Sequence, residues 1–184
     1  MVDDDARLML AFRDGDRRAF ETLFARYTPR VLTFLTRMVR DRSRAEELTQ
    51  DVFVRIYNAA GRYEASARFS TWIFGIAHNL ALNDLARAHR RYEQAHGELD
   101  ELAAADPAPG ADEKLEAERT RARLETALEG LPERQRAALL LRSEQGLGYE
   151  EIAQALETTI GSVKSLIHRA REALLATLEE VEPR

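Results

Sequence analysis

From Asp4 to about Leu178, apolar residues recur at steps of three and four, and no stretch alternates apolar with polar for long. That spacing puts each apolar set on one face of a helix and leaves no run that could pair as a half-buried strand. The chain is therefore predicted to be all-α. Its 184 residues have room for one ordinary domain or two small ones.

The N-terminal part reads as four helices. The first runs from about Asp4 to Arg13, with Leu8 and Phe12 one turn apart. The second starts at Asp16, a side chain suited to capping. It carries Phe20, Leu23, Phe24 and Tyr27, then Val31, Leu32, Phe34, Leu35 and Met38 as a core stripe. Pro29 sits inside that pattern and is expected to kink or restart the helix. The third helix is predicted from Ser43 to Ala60. The fourth is predicted from Ser70 or Thr71 to about Arg91. The C-terminal part reads as a helix over about 115–129 stopped by Gly130, a second beginning at Pro132, a short one over 149–157, and a last one from Gly161 to about Leu178.

Charge divides the chain. The formal net charge is −5, but residues 1–92 carry a net +4, residues 93–130 a net −7 and residues 131–184 a net −2. Residues 93–118 hold nine acids and one lysine, together with Pro107, Pro109, Gly97 and Gly110. Like charge with proline and glycine and few large apolar residues reads as a flexible linker. The expected organisation is two small helical domains, 1–92 and 115–184, joined by an acidic linker over 93–114.

The absence of cysteine removes disulfides, thiolate metal sites and a cysteine nucleophile. The four histidines (78, 89, 96 and 168) form no His-x-x-x-His or HExxH pair, and no glycine-rich phosphate loop is present. No metal, cofactor or active site is expected, so the chain does not read as an enzyme. The acidic start and the lack of an apolar window of ~18 residues point to a cytoplasmic protein.

Four features stand out, and each has a plain reading beside a functional one. In "AEELTQDVFVRIY", Leu48, Val52 and Ile56 recur every four residues, with Phe53 and Tyr57 expected inward beside them. Glu47, Gln50, Asp51 and Arg55 fall on the opposite face, where most such faces are merely solvated. The loop "RYEASARFSTW" is bracketed by Tyr63, Phe69 and Trp72, either core aromatics or faces on which an unstacked base can rest. In "HNLALNDLARAHRR", Asn79, Asn83, Arg87 and Arg90 follow at steps of four, four and three, and so line one helix face. Asparagine can read base edges and arginine can hold phosphates. Two asparagines inside a helix run against propensity. Finally, Ile152, Ala153 and Leu156, then Ile160, Val163, Ile167, Ala170 and Leu174, form the buried faces of two helices joined by a tight turn. The second helix carries Ser162, Lys164, Ser165, His168 and Arg169 outside. That is a helix-turn-helix pattern, whose second helix would enter a major groove; an ordinary helical hairpin is the alternative.

Beyond these local readings, "LEGLPERQRAALLLRSEQGLGYEEIAQALETTIGSVKSLIHRAREAL" closely resembles region 4 of sigma factors, the promoter-recognition subunits of bacterial RNA polymerase. "SRAEELTQDVFVRIYNAAGRYEASARFSTWIFGIAHNLALNDLARAHRR" resembles sigma region 2, with a match over about residues 16–91. A chain holding only these regions looks like an extracytoplasmic-function (ECF) sigma factor. The resemblance implies docking of Glu47, Gln50, Asp51 and Arg55 on the clamp helices of the polymerase's largest subunit, with region 4 at the flap. It implies minus-ten recognition and melting by Tyr63, Phe69, Trp72, Asn79, Asn83, Arg87 and Arg90. Minus-thirty-five recognition would fall to Ser162, Lys164, Ser165, His168 and Arg169. It further implies an anti-sigma factor as partner, and a linker threaded through the polymerase cleft. Four positions depart from the family pattern. Glu157 stands where glycine is usual in the turn, Leu166 stands where arginine is usual, and Gly75 and His78 also stand where arginine often occurs. Glu157 and Leu166 are expected to weaken phosphate contact, and Gly75 to weaken its helix locally.

Overall fold

The computed structural model describes residues 3–96 and 122–179; the expected linker, apart from residues 93–96, lies outside them. Among the described residues every regular element is helical. Helix α1 spans Asp4–Arg13, α2 Arg17–Val39, α3 Arg42–Ala59 and α4 Phe69–His96, with a 3-10 turn at Ala60–Arg62. Helix α5 covers residues 122–129. It is followed by α6 (Glu133–Ser143), α7 (Tyr149–Ala155) and α8 (Ile160–Glu179).

Short acids start the first three helices. Asp3 accepts from the Ala6 N–H at 2.6 Å, Asp16 from Arg18 and Asp41 from Arg44, both at 3.0 Å. Each satisfies a donor left open by the first helical turn. Asp3 also accepts from the Phe69 N–H at 3.3 Å, which ties the start of α1 to the start of α4. Helix α2 runs unbroken through Pro29, so of the two expected effects of the proline the restart does not occur. The lost N–H is one bond in a 23-residue helix whose buried stripe (Leu23, Tyr27, Val31, Phe34, Leu35 and Met38) runs on both sides of the proline. Burying each such large side chain contributes roughly 1.5–3 kcal/mol, enough to hold the helix across one missing bond. Helix α4 begins at Phe69, a residue or two before the expected start, and runs to His96 rather than about Arg91, taking in residues assigned to the linker.

Helices α2, α3 and α4 enclose one apolar core. Leu48, Val52 and Ile56 of α3 are buried in the same core as Phe34 and Leu35 of α2, and Phe74 of α4 meets Phe34 edge-on at 5.6 Å. In the second half, Ala137, Leu140 and Leu141 of α6, Ile152 of α7 and Val163, Ile167 and Ala170 of α8 form the bundle. These cores are contiguous, because α4 and α2 pack against α6 and α7. Polar ties reinforce the junction. Arg30 donates to the Gln145 side chain at 3.0 Å. Arg37 pairs with Glu125 at 2.8 Å and with Glu144. No helix among the described residues is long and apolar enough to cross a membrane.

Candidate nucleic-acid interface

Helix α3 places Glu47, Gln50, Asp51 and Arg55 on its exposed side, as the period of its buried stripe requires. Glu47 is partly engaged with Arg44, which also holds Asp84 of α4 at 2.7 Å. Tyr57, expected inward, is instead 54% exposed. It lies one position past Ile56, about 100° round the helix and off the stripe. Phe24 is likewise half-exposed rather than part of the core. Both rings join a surface aromatic cluster, Tyr57 against Phe12 at 5.4 Å and Phe24 against Phe53 at 4.6 Å.

The loop before α4 carries its aromatics mostly inward. Phe69 is fully buried, edge-on to Tyr27 at 5.0 Å. Tyr63 is buried with its hydroxyl unpartnered, and burial with the nearby Asp3 carboxylate pushes the phenol up to about 12. Trp72 alone stays half-exposed, its ring 4.8 Å from that of Tyr63. Around it lies a hollow of about 320 Å³, lined by Tyr63, Thr71, Trp72 and Asn79 and, from the other half, by Gln154 and Glu157.

Asn79, Asn83, Arg87 and Arg90 are all exposed along α4, in one stripe as their spacing predicts. The inward neighbour of Asn83 is Asp84, 8% exposed and gripped by Arg44, so the stripe is braced from behind. His78, next to Asn79, turns inward and is 2% exposed.

In the last two helices, Glu151 accepts from the Gly148 N–H at 2.7 Å and so caps α7. Thr159 accepts from Ser162 N–H at 3.1 Å and caps α8. Lys164, Ser165, His168 and Arg169 are exposed on α8, and Ser162 is half-buried at its first turn. Val163, Ile167 and Ala170 are buried as expected, while Ile160, at the first position of the helix, is 40% exposed and Leu174 only partly covered. Leu166 is half-buried against the core. His168 lies 3.4 Å from Glu172, an exposed pair one turn apart. The helix thus presents a face of cations and small polar groups over a packed apolar underside.

Spacing alone does not single out two buried polar side chains. Besides His78, Arg136 of α6 is 2% exposed, with Nε and Nη1 unpartnered. Among the described residues no group of three or more His, Asp or Glu is placed to hold a metal ion.

Comparison with known proteins matches residues 23–91 to the sigma-70 region 2 family and residues 121–174 to the sigma-70 region 4 family. The RNA polymerase sigma-H factor of Pseudomonas aeruginosa is 34% identical over 183 residues, covering 96% of this chain and 95% of that protein. The ECF RNA polymerase sigma-E factor of Escherichia coli is 32% identical over 178 residues, covering 92% of each. The fold is similar to that of the sigma factor RpoE solved with the anti-sigma factor NepR from Bartonella quintana. There the TM-score is 0.70 at 24% identity, over 89% of this chain and 98% of that one.

Proposed function

The chain belongs to the sigma-70 family, in the ECF group, and from that premise we propose how its surfaces divide the work of a transcription initiation factor. Its partners are core RNA polymerase and promoter DNA. It lends promoter choice to a polymerase that performs the chemistry, so it needs no active site of its own, and it works in the cytoplasm, where the polymerase is. Residues 1–92 act as the docking and melting unit, residues 115–184 as the upstream reader, and residues 93–114 as the connection between them.

In this reading Glu47, Gln50, Asp51 and Arg55 dock on the clamp helices of the largest subunit, and the second half meets the flap. Asn79 and Asn83 contact bases of the minus-ten element while Arg87 and Arg90 hold the adjoining phosphates. Trp72 offers the ring face for an unstacked base, with Tyr63 and Phe69 supporting it from the core. Lys164, Ser165, His168 and Arg169 face the minus-thirty-five groove, and Ser162 contacts the flanking backbone. An anti-sigma factor is the expected regulator.

The observation that carries this is the exposed Asn79–Asn83–Arg87–Arg90 stripe, braced by a buried Asp84. Two asparagines in a helix interior run against helix propensity, which supports a use for them beyond solvation. Co-purification with core polymerase, followed by permanganate footprinting of a promoter, tests the assignment. Binding with melting is the expected result. Duplex binding without polymerase or melting would instead make the chain a stand-alone regulator.

A further inference from the structure

Arg136 carries a full charge into the interior of the fold. It is 2% exposed, its Nε and Nη1 meet no hydrogen-bond partner, and no acid among the described residues forms an ion pair with it. Burial in the first place, and Arg40 in the second, push its pKa below the ordinary value, with Glu133 and Glu129 only partly opposing them. A guanidinium stays protonated even so. A buried charge without a close partner is costly, and an anion brought to it removes that cost.

Arg136 lines a hollow of about 830 Å³ between α4 and the start of α6. That size falls in the range of about 300–1,000 Å³ common for small-molecule sites. Leu82, Leu85 and Ala86 of α4 give it an apolar wall, and Leu85 also packs on the core. This wall lies about 100° round α4 from the Asn79–Arg90 stripe, so the hollow is separate from the proposed DNA surface. The second cation on the lining is Arg40, at the end of α2, which is exposed and whose guanidinium makes no ion pair among the described residues. His89, also on the lining, already faces Glu93 at 3.0 Å.

The charges select the ligand's head. Arg40 and Arg136 stand against one acid on the lining, Glu133, which leaves one positive charge to be met. One carboxylate meets it, and its planar pair of oxygens matches a guanidinium. A phosphate monoester carries up to two negative charges near neutral pH and would leave charge in excess beside Glu133. The leucine wall selects the rest. We propose that this hollow binds a small monocarboxylate with an apolar tail, its carboxylate held by Arg136 and Arg40 and its tail laid along Leu82 and Leu85.

Calorimetric titration of the full chain with octanoate tests this. Saturable binding of one octanoate per chain is expected. Acetate should bind at least a hundredfold more weakly, because each buried methylene adds about fourfold. Octanol, which keeps the tail without the charge, and octyl phosphate should both bind at least about tenfold more weakly than octanoate, the factor of a charge-assisted hydrogen bond. Arg136→Met keeps the length of the side chain without its charge, so it should abolish octanoate binding while the chain melts no lower than the wild type. Arg40→Ala changes an exposed residue, leaves folding intact and should weaken octanoate about tenfold. No saturable binding of octanoate, equal binding of octanol, tighter binding of octyl phosphate, or full octanoate affinity in either arginine variant would overturn the site.

Discussion

Arg44 at the start of α3 grips Asp84 in the middle of α4 with two nitrogens, at 2.8 and 2.7 Å from one carboxylate oxygen. The pair crosses from α3, which carries the proposed docking face, to α4, which carries the exposed Asn79–Arg90 stripe, and ties one to the other. The two hydrogen bonds to Asp84, with Glu47 behind them, raise the Arg44 pKa above its ordinary value, so the guanidinium stays charged. Asp84→Ala should lower stability by about 1–2 kcal/mol, because Arg44 is only partly exposed and keeps Glu47 as a second partner. A urea titration measures this. An unchanged midpoint would show that the pair positions the helices without stabilising them.

Gln50 and Asp51 offer a cleaner test of docking, because both lie on α3 off the stripe of Leu48, Val52 and Ile56. Replacing both with alanine should weaken binding to core polymerase by roughly tenfold or more, the effect of losing about 1.4 kcal/mol at an interface. The helix itself should gain slightly, alanine being the better helix former. Core affinity measured beside the melting temperature separates the two effects. Full affinity in the double variant would move the docking surface elsewhere, with the exposed Tyr57 and Phe24 as the next residues to change.

Asn79→Ala with Asn83→Ala should keep core binding intact and reduce opening of the minus-ten element. Removing the side chain that reads a base costs roughly 1–3 kcal/mol per base. Permanganate reactivity of the minus-ten thymines reports the effect. Normal reactivity in the double variant would remove the stripe from the melting mechanism.

The helices were legible because their signals are local. Asp16 caps α2 as its place before the apolar run predicts, and Val163, Ile167 and Ala170 fall on one buried face as their spacing requires. Pro29 does not restart α2, because the packing of Leu23, Tyr27, Val31 and Phe34 on both sides of it outweighs the lost backbone bond. Tyr57 misleads because it adjoins the stripe without belonging to it. The stripe from Asn79 to Arg90 was legible as a face, but what lies against its first member was not. The contact of Asn79 with Glu157 joins two segments far apart in sequence, and no periodicity relates them. Glycine at 75 and glutamate at 157 read as weaknesses when only DNA is considered; their packing partners belong to the tertiary fold.

Burial in the first place, and Arg134 in the second, push the His78 imidazole down to about 4, against a small opposing pull from Glu157. The fold therefore favours neutral His78. Its contribution is complete above the unfolded value near 6.5, and fades as pH falls from there toward about 4. Roughly 2 kcal/mol should be gone by about pH 5, since each unit carries about 1.4 kcal/mol. Other groups also titrate near the lower end, so the informative quantity is the difference between the wild type and His78→Gln. Melting temperatures of the two should converge as pH falls from about 7 to about 5. Parallel curves would mean that His78 is hydrated in solution and does not titrate with folding.

Leu166 is half-buried against the core of the second half, on the helix whose outer face carries Lys164 and Arg169. The resemblance to sigma region 4 sets an arginine against this position, and two roles for the leucine compete. It either serves the core alone, or replaces a phosphate contact and leaves α8 a weaker reader. An arginine stem can cover the same apolar surface with its head in water, so Leu166→Arg should fold at a cost of about 1 kcal/mol or less. If position 166 borders the groove, the holoenzyme should bind the upstream element more tightly. The salt dependence of binding should also steepen by about one phosphate contact. Binding isotherms of both proteins over a range of salt give the slope directly. A well-folded variant with an unchanged slope would place residue 166 out of reach of the backbone, and make Leu166 a packing residue only.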